Sequence, residues 1–140
     1  MSGAPIDIAG LLPHAGDMVL IDRIVAWDAA AIVCGATTHR RPDNPLRHSG
    51  HLSALAGVEY AGQAIAIHAA LLAERPLKSG VLASLRNLEW RQEDLAAVGG
   101  ELIVRARRQV AGRGGARYEF DLGDGDAAII TGSATDALFE

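Results

Sequence analysis

A single cysteine, Cys34, rules out an internal disulfide and the stapled scaffolds of small secreted domains. Its neighbours Ala31, Ile32, Val33 and Gly35 are apolar or small, the setting of a core thiol. A catalytic thiolate needs an electropositive, partly open site instead. Basic charge is also in short supply: 13 Lys and Arg against 17 Asp and Glu leave a net charge of −4. The arginines are scattered, so nucleic-acid binding has no electrostatic footprint. The one short basic cluster, Arg105, Arg107 and Arg108, suits either a strand face meeting water or an acidic protein partner. Residues 1–5 lack the charged start and apolar stretch of a signal peptide, so a soluble cytoplasmic protein is expected. Residues 112–115 are glycine-rich but lack the lysine and following helix of a phosphate loop. No serine sits in a nucleophile elbow, and no His and Cys cluster has metal-ligand spacing. Neither a metal nor a redox cofactor is expected.

What is present is a chain of 140 residues, 49% hydrophobic and 21% charged, enough for one domain with a sizeable core. Residues 6–12 predict a short helix ended by Pro13. Residues 19–27 and 31–38, joined by a tight turn at Asp28 and Ala29, predict a strand pair. Residues 40–50 hold two prolines, an Asn and a Gly, and form a loop. A helix of about twenty residues follows, capped by Ser53 and stopped at Arg75-Pro76. Strands are then predicted over 80–91, 101–110, 117–122 and 127–134, separated by glycine turns. Two strands, a long helix and a run of antiparallel strands make an α+β order, with the helix packed on one sheet.

That helix is apolar nearly all round. Residues 52–72 are about long enough to cross a bilayer. They also contain Glu59, Gln63 and His68, and a carboxylate at mid-membrane costs roughly 3 kcal/mol. A helix enclosed in a soluble protein is the better account. Its small residues, among them Ala54, Gly57, Ala61 and Gly62, admit a close-packed sheet. A strongly curved antiparallel sheet wrapped around one central helix, the hot-dog arrangement, meets that need.

Glu59 is the polar outlier of the helix. Burying an unpaired carboxylate is costly, so it pairs, protonates or serves a reaction. At 100° per residue it falls in a stripe with Leu55, Gln63, Ala66 and Ala70, which makes Gln63 an orienting partner or a core amide. Arg47 and Arg86 are candidate structural partners of the carboxylate. His48 and His51 lie in the loop that feeds the helix, and a His with a Glu suits acid–base work. Either is alternatively a solvated loop residue. His14 braces a turn or reaches the same site, His68 on the opposite helix face reads as core or a partner contact, and His39 as a strand-end residue. The helix start at Ser53 and Ala54 offers free N–H groups to a developing oxyanion.

The segment 11–24, with Leu12-Pro13-His14 and Ile21-Asp22-Arg23, resembles the opening of the beta-hydroxyacyl-acyl carrier protein dehydratases. The run Gly57-Val58-Glu59-Tyr60-Ala61-Gly62-Gln63-Ala64 is similar to their central-helix motif, in which a Glu or Asp precedes a Gln by four. Residues 81–85 and the turn 99–102 resemble later strands. The fuller likeness is to the shorter dehydratase-like proteins of aryl polyene biosynthesis, through Ala15-Gly16-Asp17-Met18. The resemblance implies a hot-dog dimer, homo- or hetero-, acting on 3-hydroxyacyl groups. These ride on the phosphopantetheine arm of an acyl carrier protein. It carries Glu59 over as the acid and His51 as the base, from Gly50-His51-Leu52. Ser53, Ala54, Gln63 and Gly80 are the expected substrate-contacting positions. Two departures stand out: the loop between His51 and Glu59 is several residues shorter, and Ser53-Ala54 replaces a Pro-Gly pair. They keep His14 and His48 open as the base. They also keep open a non-catalytic acyl-binding or partner subunit. A hot-dog thioesterase, with Glu59 activating water instead, is a second enzymatic possibility.

Overall fold

A computed structural model describes residues 7–13, 16–76, 79–112 and 115–139. A short helix α1 (Ile8–Leu11) is followed by β1 (Arg23–Trp27) and β2 (Ala31–Ala36). The long helix α2 (Ala56–Ala73) comes next, then β3 (Ser79–Trp90), β4 (Leu102–Gly112), β5 (Gly115–Gly123) and β6 (Ala128–Phe139). All the strands join one six-stranded sheet in the order β1-β2-β4-β5-β6-β3, and each neighbouring pair is antiparallel. The expected α+β order holds, with every predicted strand present.

Alternation along the strands decides where the core sits. Ile32 and Cys34 on β2, Val104 and Ala106 on β4, Tyr118 and Phe120 on β5, and Ile130 on β6 are buried. Arg105, Arg107, Glu119 and Asp121 alternate with them on the other sheet face. The sheet curves around α2, which packs on β2, β4 and β5. Gly57 allows the close approach at the helix start, because a Cβ there would lie 2.5 Å from the Ile130 side chain. Each fully buried Leu or Ile contributes roughly 1.5–3 kcal/mol.

Three expectations need correction. The first strand begins at Arg23 rather than 19, because the Leu20 N–H is satisfied by the Gln63 side chain and not by a strand neighbour. Ser53 does not cap α2: its hydroxyl accepts from the Leu55 N–H at 3.2 Å, and Leu55 itself is the N-cap. Nor do the described residues enclose the helix on all sides. Its sheet-facing side is buried, while Leu55 and Ala73 are exposed and Val58, Glu59, Gly62, Ala66 and Ala69 are half-buried. One sheet covers only one face of a rod. Among the described residues no helix is long and apolar enough to cross a membrane.

Candidate active site

The site is built at the entry to α2. His48 and His51 form a one-rung hairpin, exchanging backbone hydrogen bonds of 2.8 and 2.9 Å. Its two turn residues, Ser49 and Gly50, have φ of 52° and 78°, the left-handed pair of a tight two-residue turn. Arg47 ties the turn down by donating from Nη1 to the Gly50 carbonyl at 3.0 Å. The chain then runs beside residues 93–95: the Ala54 N–H donates to the Glu93 carbonyl at 2.8 Å, and the Leu95 N–H to the Leu52 carbonyl at 2.7 Å.

Asp94 is the centre of this cluster. Its Oδ1 accepts from the Leu52 N–H at 2.9 Å and the Ala96 N–H at 3.0 Å, and its Oδ2 lies 2.8 Å from Nδ1 of His51. The hydrogen bond to His51 is the main cause that holds the Asp94 carboxyl at about 2, with the backbone donors adding to it. The residue was not singled out in the sequence. An Asp before Leu95-Ala96-Ala97 is a legible cap signal, but nothing in one dimension links it to a histidine 43 positions away.

Glu59 lies one turn into α2, half-buried, on the half-open stripe with Leu55, Gly62, Ala66 and Ala69. Its neighbours anchor the helix from the other side. Gln63 is fully buried; its Oε1 accepts from the Leu20 N–H at 2.8 Å and its Nε2 donates to the Met18 carbonyl at 2.5 Å. Both ends of this amide hold backbone, so Gln63 belongs to the buried face and not to the stripe of Glu59. Tyr60, also fully buried, shares its hydroxyl with Thr38 Oγ1 at 2.8 Å and Asn44 Nδ2 at 3.1 Å. Thr38 gives its own hydroxyl proton to the Leu20 carbonyl, so Tyr60 is the donor to Thr38. Burial raises the Tyr60 phenol above its usual range.

The remaining predicted positions fall as follows. The N–H groups expected as a carbonyl clamp are engaged by the chain itself. Those of Ala56, Gly57 and Val58 donate to the carbonyls of Ser53, Ala54 and Leu55, because α2 opens with a tight 3₁₀-like turn. Ser53 and Ala54 therefore position the hairpin strand against residues 93–94. Gly80 lies on edge strand β3, paired with Leu138 of β6. His14 lies outside the described residues. His39 and His68 are fully buried, and Cys34, also buried, has its thiol pushed up to about 12 by desolvation. Arg105 pairs with Asp121 at 3.2 Å on the outer sheet face.

A curved sheet around one long helix, with a carboxylate on the uncovered side of that helix, defines a hot-dog protein. Residues 6–135 match the family model ApeP-like, described as ApeP dehydratase. The chain belongs to that family of dehydratases. Among solved structures it is similar to the dehydratase heterocomplex ApeI:P from Xenorhabdus doucetiae. The match has a TM-score of 0.83 and 18% identity, and covers 99% of this chain and 93% of that one. It is also similar to a mutant thioesterase from Pseudomonas aeruginosa, with a TM-score of 0.58, 18% identity, and 83% and 79% covered. A third likeness is to the PaaI protein from a phenylacetic acid degradation operon of E. coli, with a TM-score of 0.62, 12% identity, and 81% and 80% covered. At these identities the structures establish the fold. No curated protein sequence is a significant match to the chain.

Proposed function

We propose that this chain dehydrates a 3-hydroxyacyl thioester, carried on the phosphopantetheine arm of an acyl carrier protein, to the trans-2-enoyl thioester and water. The observation that carries this reading is Glu59 on the half-open stripe of α2, in a chain that matches a dehydratase family over residues 6–135. His51 takes the C2 proton, the C2–C3 double bond forms, and Glu59 gives a proton to the hydroxyl departing from C3. The C2–H electron pair becomes the double bond as the C3–O bond breaks and the hydroxyl leaves as water. With no net oxidation or reduction, the reading calls for no redox cofactor, only the arm that belongs to the substrate. The working unit pairs this chain with a second hot-dog subunit, identical or different, in the cytoplasm. The uncovered stripe of α2 and the similarity to a heterocomplex support such a partner.

The test is turnover of a 3-hydroxyacyl pantetheine thioester, followed by enoyl absorbance. Glu59→Gln and His51→Ala are each expected to reduce turnover about 10²-fold or more. Full turnover in Glu59→Gln removes that side chain as the acid. Release of free acid and thiol in place of enoyl product makes the chain a thioesterase. An inert single-chain preparation that gains activity only with a second hot-dog protein assigns it the role of partner subunit.

A further inference from the structure

The His51 side chain is 74% exposed, yet its ring is not left to rotate. A surface pair of this kind adds little to stability, so stability alone does not account for the contacts that hold it. The turn carrying His51 requires a non-glycine residue, Ser49, in the left-handed region, and Arg47 secures that turn from behind. On the other side the two oxygens of Asp94 divide their work. Oδ1 takes the backbone N–H groups of Leu52 and Ala96, which fixes the carboxylate in place. Oδ2 faces His51 Nδ1.

We infer that Asp94 is a positioning residue, which holds the proton of neutral His51 on Nδ1 and presents Nε2 as the outward-facing proton acceptor. An ionised carboxylate only accepts hydrogen bonds, so the shared hydrogen belongs to the imidazole. With Nδ1 protonated, the lone pair of the neutral ring lies on Nε2, on the side of the ring away from Asp94. The depressed Asp94 carboxyl stays ionised, and so remains a pure acceptor, at neutral pH. The inference rests on the proposal that His51 is the base and adds the residue that makes it one.

The tautomer is read directly by ¹⁵N NMR of the imidazole in the full chain, alongside turnover. The wild type is expected to show a protonated Nδ1 and an unprotonated Nε2 on His51; a proton on Nε2 overturns the inference. In Asp94→Asn the amide oxygen still accepts from Leu52 and Ala96, so the local fold is kept. The amide N–H now donates toward Nδ1 and drives the proton to Nε2. The expected result is the reversed tautomer, with kcat lowered about 10²-fold or more and KM little changed. Asp94→Ser keeps a capping oxygen and removes the carboxylate, and is expected to give mixed tautomers with an intermediate loss. Wild-type turnover in Asp94→Asn, with His51→Ala inactive, removes Asp94 alone and leaves the proposed reaction standing. Full turnover in His51→Ala removes His51 as the base, and the positioning role of Asp94 with it.

Discussion

At the scale of single residues, the buried imidazoles of His39 and His68 decide more about stability than the exposed ones of His48 and His51. His68 Nε2 lies 2.7 Å from the Asp28 carbonyl and must donate to it, so Nδ1 accepts the Tyr118 hydroxyl at 2.6 Å. His39 Nε2 sits 3.0 Å from the Val98 carbonyl in a site with no exposure. Burial is the leading cause that lowers both histidines below the ordinary 6.5, and neighbouring Arg108 near His68, and Arg40 and Arg47 near His39, act in the same direction. The folded state therefore holds these rings neutral while the unfolded chain protonates them. The stabilisation is complete above the unfolded value of 6.5 and declines as pH falls through and below it. The urea midpoint is expected to be lower at about pH 5 than at about pH 7.5. A midpoint that stays flat would mean the rings charge in place. Glu59 and Gln63 were legible in the sequence as polar residues in an apolar helix, and their spacing of four places them on neighbouring rows. An evenly apolar helix has no stripe to fix its rotational phase, so the sequence did not show that the edge of the buried side falls between them.

At the scale of elements, the end of α2 carries a correctable strain. Glu74 adopts φ 58° and ψ 34°, and the N–H groups of Glu74 and Arg75 close back onto Leu71 and Ala70 before Pro76. This is the helix closure usually made with glycine, and a side chain there costs about 1 kcal/mol. Glu74→Gly is expected to raise unfolding free energy by about that amount in denaturant melts, with no change in secondary structure by circular dichroism. Unchanged or lower stability would show that Glu74 contacts offset the strain. Strands were legible because glycine turns punctuate them, as at Gly123, where a Cβ would overlap the Ala127 carbonyl oxygen. The start of β1 was not legible. The donor that ends the ladder there is satisfied by Gln63, a side chain from a distant helix.

At the scale of the whole molecule, the sheet covers one side of α2 and leaves the other half-open. Strand β3 lies at the sheet edge with Leu85 and Trp90 exposed. The proposed second subunit covers the half-open stripe. An arginine at Ala66 would be buried there without a partner, so Ala66→Arg is expected to weaken association by about 3 kcal/mol, over a hundredfold in Kd. Sedimentation should then show monomers, with helix content retained. A wild-type oligomer in this variant would place the interface elsewhere. The curved sheet and long helix were legible because the apolar run 52–72, studded with small residues, needs a close-packed cover. How much of that enclosure one chain supplies was not, since sequence does not say where a subunit ends and its neighbour begins.

The His48–His51 hairpin adds no strand to the six-stranded sheet, and its two histidines project from the body of the protein. Replacing either imidazole therefore breaks no strand pairing of the sheet. A subunit of this build could lose the proposed base and still lend its intact sheet and helix to the proposed second subunit.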